Sequence, residues 1–411
     1  MLFNITDTFW VGRTLGGSAL AAVSLASYAV WVIVSVGELV GVGLTAVASR
    51  RHGERDPASA ARAAGTALVM ALALGLVVAV GGVLLLPAVL RLMHATGEVA
   101  ELAREFLVVQ LLGALLIYGY FVVTAAFRSA GDTRTPFVLL GGSVLINLVL
   151  DPIMILGWGP VPALGVYGAA LATVLTRGLG FVVGVELLRR RGGIRPAFSG
   201  PVVRTITRIG LPTMLTGVLF SLIYMLLVRY VGRFGTSAIA ALGVGHKLEG
   251  ISYMICIGFG LAAETLVGQN LGAGRAARAR RAGWLTARIA SVPAFVLAAV
   301  FLLVPGTLVG VFTDDPAVIR DGSLYLRAAA VGQLAMAFEI VLEGALTGAG
   351  YTLPTMIAVV GISALRIPLA ELVAGPFGLV GIWWMLALTA IARAVAMTSL
   401  WHWGGWEKAR A

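Results

Sequence analysis

The feature that most constrains this chain is the recurrence of apolar runs about 20 residues long, from its first residues to its last. A helix of that length crosses roughly 30 Å of hydrocarbon, and short polar connections close each run. The runs lie near 1–12, 17–48, 62–90, 104–127, 135–157, 163–188, 207–231, 237–265, 284–311, 324–347, 353–373 and 378–403. This spacing predicts an all-α membrane protein of about twelve transmembrane helices, with no room between them for a soluble domain. Composition agrees, since 59% of the 411 residues are hydrophobic, 12% are charged and the mean hydropathy is +0.97. A water-soluble fold cannot bury that much apolar surface. The 53 glycines fit the same class, because small residues let membrane helices approach closely.

The net charge of +11 belongs to topology rather than to a nucleic-acid footprint. Arginine collects in alternate connections: Arg50, Arg51, Arg55 and Arg62; Arg128 and Arg134; Arg189–Arg191, Arg195, Arg204 and Arg208; Arg275, Arg278, Arg280 and Arg281; then Lys408 and Arg410. The opposite side holds only Arg13, Arg91, Arg104, Arg233, Arg320 and Arg327. The positive-inside rule then places both termini in the cytoplasm. The single cysteine, Cys256, excludes an intrachain disulfide. The four histidines, His52, His94, His246 and His402, are scattered, so no acid–base or metal constellation of an enzyme is expected.

The sequence repeats itself. Val11 to Ala22 (VGRTLGGSALAA) returns as Val231 to Ala241 (VGRFGTSAIAA), and Phe127 to Pro136 (FRSAGDTRTP) returns as Leu346 to Thr355 (LTGAGYTLPT). Leu164 to Ala172 pairs with Phe377 to Met385. The glycine anchors Gly12/Gly232, Gly131/Gly350 and Gly168/Gly381 keep the same order. Two six-helix lobes related by internal duplication follow: 1–190, then a basic cytoplasmic connection at 191–206, then 207–411. Ten residues precede the first VGR motif, about 15 Å of helix, so the first helix is expected to be truncated, through a misassigned start or an incomplete sequence.

The chain resembles the multidrug and toxin extrusion (MATE) family. The matching stretches are NITDTFWVGRTLGGSALAAVSLA near the start, FRSAGDTRTPF, NLVLDP at Asn147 to Pro152, and LVGQNLGAGRAARARRAG at Leu266 to Gly283. GHKLEGISYM and LVGQNLGAG look closest to the DinF-like bacterial branch. The resemblance implies two bundles of six helices in a V and a substrate cavity between or within them. It also implies export of small, cationic or amphipathic compounds in exchange for protons or sodium, with no cofactor. A multi-pass, monomeric protein of the bacterial inner (plasma) membrane is the expected setting, with small-molecule substrates and the lipid bilayer as its partners.

A carboxylate inside the membrane costs about 2.5–3.5 kcal/mol on insertion scales, so each one calls for a reason. Asp7 and Asp151 are the leading pair, because the resemblance brings matching acids together in the N-terminal lobe. Two such groups in a poorly hydrated cavity raise each other's proton affinity, which suits a proton carrier. With Asn147 and Thr173 the same pair offers hard oxygen ligands to sodium, and Asn147, four residues before Asp151, faces the same side of its helix. The structural alternative has Asp151 bridging around Pro152 and Asp7 at a helix end. In the second half Arg366 stands where Asn147 stood, and no acid matches Asp7 near Leu227. That half carries His246, Lys247, Glu249, Glu264, Glu339, Glu343, Arg366 and Glu371 instead. Lys247 and Arg366 are expected to pair with Glu249, Glu339 or Glu343, as a structural network or as a substrate or second coupling site. Glu38 and Arg177 are expected to bridge within the first lobe. Trp383, Trp384, Trp401, Trp403 and Trp406 read as an interfacial belt. The rival functions are a lipid-linked precursor flippase of the same superfamily and a major-facilitator transporter. Ser49 to Arg62 lacks the latter's loop signature.

Overall fold

The computed structural model describes residues 2–93, 95–159 and 162–409. Met1, His94, Pro160, Val161, Arg410 and Ala411 lie outside it, as do the side chains of residues 2–6 and 8. The described chain is all α. Its helices are α1 (Leu2–Thr14), α2 (Gly17–Gly53), α3 (Pro57–Leu92), α4 (Gly97–Leu112), α5 (Ala114–Ser129), α6 (Arg134–Leu156) and α7 (Gly165–Arg190). There follow α8 (Gly200–Val231), α9 (Thr236–Gly272), α10 (Ala276–Leu303), α11 (Pro305–Gly310), α12 (Pro316–Gly348), α13 (Thr352–Ala364) and α14 (Arg366–Trp403).

Among the described residues nine helical stretches are long and apolar enough to cross a membrane, and the pair α4 and α5, bent by 48°, makes a tenth. The bend falls at Gly113, where a Cβ would sit 2.4 Å from the Val174 side chain. The single apolar run expected at 104–127 is thus divided between α4 and α5. The stretch Thr352–Trp403 is counted once by length, yet it turns back on itself. Arg366 Nε donates to Thr389 Oγ1 at 2.8 Å and Arg393 Nη1 to Ser363 Oγ at 3.4 Å, an antiparallel pairing whose midpoint is Gly378. Gly378 has φ 58° and ψ −150°, a conformation essentially reserved for glycine. The two expected spans at 353–373 and 378–403 are therefore the arms of this hairpin. The 13 residues of α1 fall short of a crossing length.

The duplication is written in the backbone as well as the sequence. Gly16 and Gly235 hold nearly the same extended, positive-φ conformation ahead of helices that are both 37 residues long. Positive-φ residues recur as Arg55 and Gly274, Gly131 and Gly350, and Gly165 and Gly378. The starts after two connections are capped alike: Asp56 accepts from the Ser59 amide and Asp315 from the Ala317 amide, each followed by proline. Hydrogen bonds from Ser59 hold the Asp56 carboxyl below its ordinary value.

The chain forms two compact units, Met1–Val218 and Leu219–Ala411. The division falls inside α8, beyond the basic connection, because the first part of α8 packs on α2. Cβ atoms at Gly43 and Gly210 would meet the backbone of Ile206 and Leu39 at 2.5 and 1.9 Å. In the second unit Trp383, Trp401 and Trp406 are core residues rather than an interfacial belt. Trp401 and Trp406 stack with centroids 4.0 Å apart, and Gly283 leaves the space Trp401 fills. Only Trp384 and Trp403 of that group are exposed.

Candidate functional site

In the first unit α1 packs against α2, α6 and α7. α6 and α7 lie close because Gly168 has no Cβ to strike the Met154 carbonyl, which is 2.5 Å from where it would be. Pro152 interrupts the hydrogen-bond ladder of α6 one residue after Asp151. This arrangement brings four expected side chains together from three helices. Asp7 of α1, Asn147 and Asp151 of α6, and Thr173 of α7 are all buried, none more than 4% exposed. Thr173 Oγ1 lies 3.3 Å from both oxygens of Asp7, and Asn147 Nδ2 donates to Asp151 Oδ1 at 2.8 Å. The carboxyl groups of Asp7 and Asp151 stand within hydrogen-bonding reach of each other. Asn147 Oδ1 and Asp151 Oδ2 receive no donor. The cluster is thus rich in oxygen acceptors and poor in donors, an arrangement that a proton or a hard cation completes.

Arg177 lies in electrostatic range of Asp7 and Tyr120. The charged neighbour of Glu38 is Arg128. Arg177 thus brings a cation toward the Asp7 cluster.

The second unit contains a polar layer between two apolar cores. On α9, Glu249 and Ser252 separate Leu248 of one core from Cys256 of the other; on α12 Gln333 separates Ala330 from Ala337; on α14 Thr389 and Arg393 separate Ala387 from Met397. Tyr325 donates its hydroxyl to Glu249, and Gln333 Nε2 reaches the other Glu249 oxygen at 3.4 Å. Glu339 pairs with Arg393 at 3.3 Å, both side chains being at most 9% exposed. The guanidiniums of Arg366 and Arg393 lie over Tyr224 and Phe220, 5.5 and 5.6 Å from the ring centroids. His246 fits between Tyr224 and Tyr325.

The expected partnership of Lys247 with these acids is not formed. Lys247 lies on the exposed side of α9 and makes no ion pair among the described residues. Arg366 reaches Glu339 and Glu249 only through its field, while its hydrogen bond goes to Thr389. The direct partner of Glu339, Arg393, was missed by the sequence reading. The signal for it was available: Arg393 is the only basic residue between Arg366 and His402, in a largely apolar segment. Glu343 is half-buried on α12, Glu264 is buried on α9, and Glu371 is exposed and pairs with Arg233 at 2.9 Å. No group of three or more His, Cys, Asp or Glu residues suited to a metal occurs among the described residues.

Comparison with known proteins follows the same outline. The MatE family model matches residues 1–153 and 212–372. A probable multidrug resistance protein NorM of Thermotoga maritima is 30% identical over 421 aligned positions, covering 99% of this chain and 89% of that protein. The multidrug export protein MepA of Staphylococcus aureus is 24% identical, covering 96% of this chain and 88% of its own length. Among solved structures, one described as the outward-facing conformation of a multidrug resistance MATE family transporter superposes with a TM-score of 0.89 at 25% identity. It covers 98% of this chain and 90% of that one. The Vibrio cholerae MATE transporter VcmN in its bent form, 22% identical over 97% of this chain and 91% of its own, shares the fold with a TM-score of 0.87.

Proposed function

The chain belongs to the multidrug and toxin extrusion family, and on that premise we propose that it exports small, cationic or amphipathic organic compounds in exchange for protons or sodium ions. The observation that carries this reading is the buried cluster of Asp7, Asn147, Asp151 and Thr173, in which two acceptors have no donor. An ion entering there gives the two undonated oxygens a partner. It ties α1 to α6 and α7, and its departure leaves two carboxyl groups facing each other in a poorly solvated site. Ion occupancy therefore favours one packing of α1 over another, which is the differential affinity that a coupled transporter needs. Protons and sodium use the same oxygens. A proton bridges the two carboxyl groups, whereas sodium also engages the Asn147 and Thr173 oxygens.

In this reading the arginine-rich connections face the cytoplasm of a bacterial cell, and so do both ends of the chain. The polar layer of the second unit serves substrate or a second coupling ion at Glu249 and Glu339, with Arg366 and Arg393 setting its charge balance. The names of the bacterial relatives favour multidrug export over lipid-linked precursor flipping. Efflux of a cationic dye from vesicles, under proton and sodium gradients imposed separately, tests the proposal. Efflux is expected to follow at least one gradient, and a dye whose distribution ignores both contradicts antiport.

A further inference from the structure

Where α10 begins and α14 ends, a groove of about 700 Å³ is lined by Arg281, Trp284, Leu285 and Arg288 of α10 and by His402 of α14. Arg281, Arg288 and His402 are exposed. Among the described residues neither arginine pairs with a carboxylate, although Arg280 beside them is held by Glu407 at 2.8 Å. Arg288 stands twelve residues into α10, about 18 Å along its axis, and one turn beyond Trp284. Tryptophan favours the level of the headgroups, so the Arg288 backbone is at or below that level and its guanidinium reaches back toward the groove. Beside and below it the outward face of α10 is a stripe of exposed Leu285, Ile289, Val292 and Val296 at helical spacing, a surface that hydrocarbon covers.

We propose that this groove binds the phosphate of an anionic phospholipid, with an acyl chain along the stripe from Leu285 to Val296. An uncompensated guanidinium at that depth is costly, and the lipid phosphate is the anion the membrane supplies there. Two planar guanidiniums suit a phosphodiester, which accepts paired N–H bonds from each. An anionic headgroup is preferred to a zwitterionic one because the latter brings its own cation into a basic groove. The site requires only that α10 crosses the membrane with this end at an interface. It rests on the membrane reading and not on ion coupling.

The purified full-length protein in detergent, titrated with phosphatidylglycerol, phosphatidylcholine or inorganic phosphate, tests this by native mass spectrometry and thermal unfolding. Phosphatidylglycerol is expected to bind and to raise the unfolding midpoint. R281Q/R288Q is expected to weaken its binding about tenfold or more, and R281K/R288K to lose less. R275Q/R278Q removes the same net charge from exposed arginines outside the groove and is expected to bind as the parent does. The proposal is overturned if phosphatidylcholine binds equally well, if inorganic phosphate stabilises as much, or if R275Q/R278Q loses as much affinity. D7N is expected to keep phosphatidylglycerol binding, so failure of this site and failure of the antiport reading are distinguishable.

Discussion

Single residues divide the two units by what their polar groups lack. Around Asp7 and Asp151 two buried oxygens receive no donor and the cation in electrostatic range is Arg177, whereas Glu339 is paired directly with Arg393 at 3.3 Å. Thr173→Val removes one oxygen while keeping the volume. If sodium is the coupling ion, the sodium dependence of efflux is expected to shift by about tenfold. R393M strands Glu339 in the core and is expected to cost about 3–5 kcal/mol, read as a lower thermal midpoint, whereas E339L/R393M recovers most of it. A double variant no more stable than R393M would contradict that pairing. Asp7, Asn147 and Asp151 were legible because polar residues in apolar runs are conspicuous and because the motif NLVLDP carries two of them. Arg393 was not. Its partner lies 54 positions away on α12, and no local spacing encodes a contact between distant helices.

Helices and their breaks show where sequence reading stops. The apolar runs located the spans, and the glycine anchors located the repeat. The hairpin at Gly378 and the bend at Gly113 depend on what each glycine packs against or which dihedrals it holds. Gly378→Ala is expected to lower stability by about 1–3 kcal/mol, since alanine scarcely adopts φ 58° with ψ −150°. Gly375→Ala, with open space around its Cβ, is expected to be neutral or stabilising. Similar losses in both variants would show that the break is not the cause. The cap at Asp56 has a pH signature. Its carboxyl is held below the ordinary value, so its contribution is complete above about pH 4 and fades as pH falls through the lower, folded value. D56N is expected to abolish that acid-side dependence in the fraying of α3, followed by amide exchange. The tryptophans mislead for a related reason. Their spacing fits an interface, but Gly283 opens a cavity in which Trp401 is buried.

At the scale of the molecule the duplicated fold carries unequal contents. Matching dihedrals at Gly16 and Gly235, and matching positive φ at Gly165 and Gly378, accord with one unit used twice. The acids of the first copy meet no acids at the matching places in the second, where Arg366 takes the position of Asn147. Under the proposed function the leading ion site therefore lies in the first unit. The orientation expected from the arginine pattern is tested in a C256A background, which leaves no native thiol. A cysteine at Arg278 is expected to react with an impermeant reagent only after the cytoplasmic side is opened, and one at Asp314 from outside intact cells. The reverse labelling would invert the orientation. The central claim, that Asp7 and Asp151 form the ion switch, is tested most directly by gradient-driven dye efflux in D7N and D151N vesicles matched for inserted protein. The account predicts that both variants insert normally and lose gradient-driven efflux. Undiminished efflux in D7N would contradict it.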